Sequence, residues 1–104
     1  MAKNMNSLMR QAQQMQQKMS ILQKELEARE IDSSSGGGMV KIKINGKQEI
    51  IEFALDKECV DPNDVEMLEE LILTAINQAV KESQEMVSGA MSKLTGGINI
   101  PGMF

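Results

Sequence analysis

Met5–Leu26 reads MNSLMRQAQQMQQKMSILQKEL, and its apolar residues recur at alternating intervals of three and four. The series is Met5, Leu8, Ala12, Met15, Met19, Leu22 and Leu26. This 3.5-residue repeat is typical of a coiled-coil seam, with apolar side chains at positions a and d of each heptad. No glycine or proline interrupts Ala2–Ile31, and most of its residues favour helix. The stretch therefore predicts one long helix over about residues 1–30.

The length of this helix suggests that the seam has a partner. About 25 helical residues extend roughly 38 Å, whereas a domain of about 100 residues has a radius of gyration of only about 13 Å. An overhanging seam is covered most simply by a second copy of the chain, so we predict a homodimer. The predicted interface residues are Met5, Leu8, Ala12, Met15, Met19 and Leu22. The alternative, chiefly for the part from Met19 to Leu26, is that the seam packs on the sheet of its own chain.

Positive charge follows the face of this helix opposite the seam. Position f of successive heptads holds Lys3, Arg10, Gln17 and Lys24, with Lys18 beside them. The first 24 residues contain no acid, although the helix macrodipole favours acids at a helix N-terminus. An anionic partner along the N-terminal half would explain this order of charges, and an ordinary solvated face is the alternative.

Composition limits the possible functions. The 104 residues suffice for one small domain and carry a formal net charge of −4. That charge is uneven, since residues 56–70 hold seven acids and one base. One cysteine and no histidine exclude a disulfide framework and a metal site built from His and Cys. No apolar run approaches the roughly 20 residues of a membrane span, so we expect a soluble, cytoplasmic protein without a cofactor.

A small antiparallel sheet is predicted over residues 31–56. Met39–Asn45 alternates apolar and basic residues, as a strand with one buried face does. Asn45-Gly46 is a hairpin signal, because both positions of a two-residue turn need a positive φ. Such a turn places Val40 opposite Ile51 of a return strand over about Gln48–Leu55. The predicted buried face of that strand holds Ile51, Phe53 and Leu55. Ala28–Ser33 is compatible with a third, edge strand, and the serine–glycine run Ser33–Gly38 is interpreted as a turn.

A second long helix is predicted over residues 61–93. Asp61 is a good N-cap residue and Pro62 suits the first helical position. The broad apolar stripe that follows is typical of a helix packed on a sheet. Thr95–Phe104, with three glycines and a proline, predicts a flexible tail. The fold class is therefore α+β in two layers, with a small antiparallel sheet between two long helices along the chain and the first helix overhanging the domain. The chain shows no catalytic constellation, since it lacks histidine and a nucleophile context.

Taken together, these stretches resemble the YbaB/EbfC family of bacterial nucleoid-associated proteins. The matching segments are Leu8–Gln16, Lys18-Met19, Val40–Gly46, Glu66–Leu71 and Pro101-Gly102. The resemblance covers nearly the whole chain. It implies a homodimer shaped like tweezers that binds double-stranded DNA in the nucleoid and affects chromosome organisation or gene expression. The DNA-binding residues that it implies are Arg10, Gln17 and Lys18, with Lys3 and Lys24 beside them.

Two other functions compete with DNA binding. A coiled-coil adaptor or chaperone would use the methionine-rich seam on other proteins, but it would not need the cationic face. A membrane-surface helix would need dense Lys and Arg where this helix has mostly Gln. DNA binding through phosphates is largely independent of sequence and falls steeply with salt. We expect no small-molecule substrate and no enzymatic activity.

Overall fold

The computed structural model describes residues 2–94, with side chains from Asn4 onward. Helix α1 (Ala2–Ala28) leads into a three-stranded antiparallel sheet, and helix α2 (Val65–Leu94) follows it. The strands are β1 (Glu30–Ser35), β2 (Val40–Asn45) and β3 (Ile50–Leu55), in the order β1-β2-β3. Short 3-10 turns lie at Gly36–Gly38 and Lys57–Cys59. The predicted α+β class and the third strand are confirmed, whereas the predicted tail lies outside the described residues.

The core lies between the central strand and α2. Alternation along β2 buries Val40, Ile42 and Ile44 on the inner face and directs the intervening lysines away from it. The α2 residues Ala75 and Ala79 are fully buried against them. Small side chains at these two positions allow the helix to approach the sheet closely. The result is the predicted two-layer arrangement, a helix over one face of a sheet.

The turn between β2 and β3 differs from the prediction. Asn45 and Glu49 close a three-residue loop, in which Asn45 Oδ1 accepts hydrogen bonds from the backbone N–H groups of Lys47 (2.9 Å) and Glu49 (3.0 Å). Gln48 takes the left-handed conformation, with φ of 64°, as expected when a tight turn is followed by one left-handed residue. The different loop and a β-bulge between the pairs of Lys43 and Ile44 together shift the register, so Val40 lies opposite Leu55 and the predicted pairing with Ile51 is wrong.

Gly46 serves a purpose that the turn prediction missed. Its φ is not positive, so the turn itself does not require glycine there. A Cβ at this position would overlap the carbonyl oxygen of Leu26 and would lie 2.6 Å from its carbonyl carbon. The glycine therefore lets the hairpin turn touch the backbone of α1 near its C-terminal end.

The second helix begins later than predicted because a different aspartate caps it. Asp61 instead forms a tight turn, accepting a hydrogen bond from Asn63 N–H at 2.9 Å. Asp64 Oδ1 accepts from Met67 N–H at 3.2 Å, which is the usual geometry of an N-cap. The helix starts at Val65 and continues through Gly89 to Leu94.

Candidate nucleic-acid interface

The N-terminal helix projects from the body of the molecule. Its 27 residues extend about 40 Å and the 30 residues of α2 about 45 Å. The molecule measures 75 × 22 × 16 Å. Because the long dimension exceeds either helix, α1 and α2 overlap over only part of their lengths. The predicted overhang of the first helix is therefore present.

One contact zone at the end of the sheet fixes both helices. Leu26 of α1 is fully buried, and its carbonyl group meets Gly46. Next to it, the buried hydroxyl of Ser83 on α2 donates a hydrogen bond of 2.7 Å to the carbonyl oxygen of Asn45. An open cleft of about 450 Å³ lies beside these contacts, and Val87 and Gln23 are among its lining residues. The hairpin turn thus positions α1 relative to α2.

Beyond this zone the two helices form an antiparallel arm. Contacts join α1 to α2, and Met15, Met19 and Leu22 of the seam are half-buried within the single chain. The half-buried residues of α2 that follow Ser83 are Met86, Val87, Ala90, Met91 and Leu94. The C-terminal half of the seam therefore has contacts inside its own chain, mainly with α2, whereas the alternative expected it to pack on the sheet. The buried Leu26 lies at the base of the arm, where its carbonyl group meets the hairpin turn at Gly46.

The cationic residues of the arm are free to meet an anion. Arg10, Lys18 and Lys24 are exposed, as is Gln17. Among the side chains described from Asn4 to Leu94, none of these three cations lies within ion-pair distance of an acid. Arg10, Gln17 and Lys24 are spaced about 10 Å apart along one side of the helix and Lys18 lies on its flank. The side chain of Lys3 lies outside the described residues.

The lysines of the sheet are a weaker candidate. Lys43 Nζ lies 3.7 Å from a carboxylate oxygen of Glu52, and Asp32 is its neighbour in the register on the other side. These acids offset the charge on the outer face of the sheet. Lys41 is exposed, with Ser34 and Ala54 as its register neighbours. Of the two lysines on the outer face of the sheet, one is therefore paired with an acid, whereas the described cations of α1 are not.

Strand β3 presents an apolar surface that sequence reasoning missed. Phe53 and Leu55 were predicted to be buried, but 46% and 37% of their surfaces are exposed. Their partners in the register, Ile42 and Val40, are buried, so the two β3 residues lie on the same inner face. A helix about 10 Å wide covers only about two strands spaced about 4.8 Å apart. Since α2 lies over β1 and β2, β3 is left uncovered.

Ile51 also departs from the prediction. It is the extra residue of a β-bulge between the pairs Lys43–Glu52 and Ile44–Ile50, and 46% of its surface is exposed. Because side chains alternate along a strand, Ile51 could be assigned to a face only if the pairing of β3 with β2, including the bulge, were known. The apolar composition of β3 was visible in the sequence, but the face that α2 leaves uncovered was not.

Other kinds of site receive no support from the described chain. Residues 2–94 contain no group of three His, Cys, Asp or Glu side chains placed to hold a metal ion. None of the described helices is both long and apolar enough to span a membrane. The single cysteine, Cys59, is buried, and its Sγ donates to the carbonyl oxygen of Asp56 at 3.0 Å.

A small α+β protein with a protruding, cationic helical arm is the class that this fold and surface define. Residues 1–98 match the YbaB/EbfC DNA-binding family, and the chain belongs to that family. It is 54% identical to a nucleoid-associated protein of Clostridium novyi over 97% of this chain and 89% of that protein. A nucleoid-associated protein of Desulforamulus reducens is also 54% identical, over 100% of this chain and 99% of that protein.

The fold recurs in a solved structure. The crystal structure of an uncharacterized protein from Helicobacter pylori superposes with a TM-score of 0.72 at 25% identity. The match covers 86% of this chain and 94% of that one. The helix–sheet–helix arrangement is thus shared by proteins that differ at most positions.

Proposed function

We propose that this protein binds double-stranded DNA as a homodimer, with low sequence specificity, through the cationic side of α1. Membership of a DNA-binding family and the names of the relatives support DNA as the partner and the bacterial nucleoid as the place of action. The observation that carries the choice of surface is the row of exposed cations on α1, none of which among the described side chains lies within ion-pair distance of an acid. Binding of many sites by such a dimer would affect chromosome organisation and gene expression.

The salt dependence of binding follows from the number of cations. Arg10, Lys18 and Lys24 give three phosphate contacts in each protomer, so a dimer makes six. Each contact adds about 0.9 to the slope of log K against log salt, which gives a slope of roughly −5. Lys3 adds to this value if it also reaches a phosphate. Contacts to phosphates carry no sequence information, so binding through these cations should have similar affinity for different sequences.

Charge reversal on the arm tests this assignment. The double variant Arg10→Glu with Lys18→Glu should weaken binding to all duplexes and flatten the salt slope by about 4 for a dimer. The matched control is Lys57→Glu with Lys81→Glu, which changes the net charge equally at exposed positions on the body. Mobility-shift titrations at several salt concentrations measure both quantities. Equal losses in the two variants would mean that only net charge matters, and the assignment to α1 would be wrong.

The uncovered apolar face of β3 is the best-supported joint for the homodimer. An edge strand has unpaired backbone groups, and natural proteins rarely leave a long apolar edge open to solvent. Ile50, Ile51, Phe53 and Leu55 are each more than a third exposed in the single chain. Half of the predicted α1 interface, by contrast, already has contacts within the chain. The contribution of Met5, Leu8, Ala12, Met15, Met19 and Leu22 to the joint stays a prediction.

Sedimentation equilibrium distinguishes the two candidate joints. Phe53→Ser should shift the wild-type dimer toward monomer, since it removes apolar area at the centre of the β3 face. Ile21→Ser is the matched control, because Ile21 is 60% exposed but lies on α1 away from the seam. Met5→Ser with Leu8→Ser tests the free part of the seam. A wild-type monomer at tens of micromolar would refute the homodimer itself.

We also infer that binding, and not catalysis, is the activity of this protein. The support is the character of the family and the lack of histidine in the chain. Turnover of a nucleotide or an ester by pure protein, abolished by one point substitution, would contradict this inference.

A further inference from the structure

The row of cations on α1 stops where that helix meets the body. Arg10, Gln17 and Lys24 occupy successive positions f, and the next such position would be Ile31. Helix α1 ends at Ala28, so Ile31 lies in β1, where it is half-buried. A duplex that follows the row toward the body therefore leaves α1 at its base. Any further phosphate contact in that direction has to come from the element beside this base.

The hairpin turn between β2 and β3 is that element. Lys24 of α1 and Lys47 of the turn line the same open cleft of about 210 Å³. Ala28, at the end of α1, and Asn45, at the start of the turn, also line it. The lysine of the turn thus lies where the row of cations on α1 would continue.

The turn has a defined position relative to the arm. The backbone of Gly46 lies against the carbonyl group of Leu26 on α1. The carbonyl oxygen of Asn45 accepts a hydrogen bond of 2.7 Å from Ser83 on α2. Within the turn, Asn45 Oδ1 accepts from the backbone N–H of Lys47 at 2.9 Å. Because the backbone of Lys47 is already ordered, only its side chain has to be ordered on binding, which lowers the entropic cost.

Two acids, Glu27 and Glu49, share this cleft with the two lysines without pairing with them. Glu27 is half-buried, whereas Lys24 and Lys47 are exposed. Glu49 Oε1 accepts a hydrogen bond of 3.2 Å from Asn45 Nδ2, which holds this carboxylate close to the turn. Among the side chains described from residue 4 to residue 94, neither lysine lies within ion-pair distance of an acid. Both ammonium groups are therefore available to an anion.

We propose that Lys47 is a further DNA-binding residue, which extends the cationic row of α1 onto the hairpin turn and contacts phosphates of a duplex together with Lys24. This inference rests on the proposed function, since it takes the duplex to lie on the cationic side of α1. One more contact in each protomer adds two to the six of the dimer. The slope of log K against log salt then steepens from roughly −5 to roughly −7.

The variant Lys47→Gln of the full-length protein tests this contact. It should flatten the salt slope by about 2, so between about 50 and 200 mM salt it should lose about tenfold less affinity than the wild type. The matched control is Lys57→Gln, because Lys57 is exposed and lies at the opposite end of the sheet, beyond the pair Val40–Leu55. Lys47→Arg keeps the positive charge and should retain the wild-type slope. Mobility-shift titrations with one duplex measure all of these variants.

Neutralisation of the acid on the same turn gives a second readout with the opposite sign. Glu49→Gln keeps a side-chain oxygen that can accept from Asn45, but it removes a charge that repels phosphates, so it should strengthen binding. Equal salt slopes for Lys47→Gln and Lys57→Gln, or no gain from Glu49→Gln, would overturn the proposal. If Arg10→Glu with Lys18→Glu still weakens binding in that case, only the extension to the turn is wrong. If that double variant binds as the wild type does, the proposed function fails as well.

Discussion

Substitution of Gly46 by alanine tests the central role of the contact between the hairpin turn and α1. The added Cβ would overlap the carbonyl oxygen of Leu26, 2.6 Å from its carbonyl carbon and 3.1 Å from the backbone nitrogen of Glu27. These are backbone atoms of a helix, so no side-chain rotation can relieve the overlap. Either the end of α1 or the hairpin turn has to move. If α1 moves, the buried side chain of Leu26 moves with it.

The expected cost is a loss of about 2 kcal/mol in the free energy of unfolding. Overpacking of a well-packed region costs about 1–3 kcal/mol. Against this, replacing glycine reduces the entropy of the unfolded chain and contributes about 0.4–1 kcal/mol where the backbone conformation is allowed. Gly46 does not have a positive φ, so the loss would come from the steric overlap and not from backbone strain.

Gly89→Ala is the matched control with the opposite sign. Gly89 lies within α2, and a Cβ there would meet nothing within 4 Å. Alanine favours helix over glycine by about 0.8–1 kcal/mol, so this variant should be stabilised. The same chemical change thus destabilises the protein at one position and stabilises it at the other.

Urea denaturation followed by circular dichroism measures both variants. With an m-value of about 1–2 kcal/mol/M, the midpoint for Gly46→Ala should fall by about 1–2 M and that for Gly89→Ala should rise by about 0.5 M. All samples need the same protein concentration, because a dimer is stabilised by association. A Gly46→Ala midpoint equal to or above that of the wild type would refute the close approach of the turn to α1.

Two further pairs of variants test the same architecture. Leu26→Ala should cost about 2–5 kcal/mol because this residue is fully buried. Leu8→Ala, at another seam position but 63% exposed, should cost less than about 1 kcal/mol. Thermal unfolding compares the two variants, and equal losses would contradict the difference in burial along the seam. Ser83→Ala should cost about 1–3 kcal/mol because it removes the buried hydroxyl that donates to the carbonyl oxygen of Asn45 and leaves that oxygen without this hydrogen bond. Ser88→Ala, at an exposed position of the same helix, should be close to neutral in the same urea titration.

Much of the fold was determined by local sequence. The 3.5-residue repeat and the lack of glycine and proline indicated α1, and the alternation of β2 indicated which of its residues are buried. Both patterns reflect periodicities of the backbone itself, so they survive without knowledge of the partners. The cationic side of α1 is likewise a property of residue spacing, and the structure leaves Arg10, Lys18 and Lys24 exposed as expected.

What covers each face was decided only by the tertiary structure. The alternation of β3 distinguished its two faces. It could not show that α2 covers only β1 and β2 and leaves the inner face of β3 exposed. The pair Asn45-Gly46 suggested a two-residue turn, but the loop has three residues. The glycine is needed because the backbone of Leu26, far away in the sequence, lies against it, and local sequence could not show that contact. The repeat of α1 is uniform from Met5 to Leu26, yet its seam residues are half-buried or buried only from Met15 onward. Periodicity depends on neighbouring residues along the chain, whereas burial depends on which distant elements pack against each face.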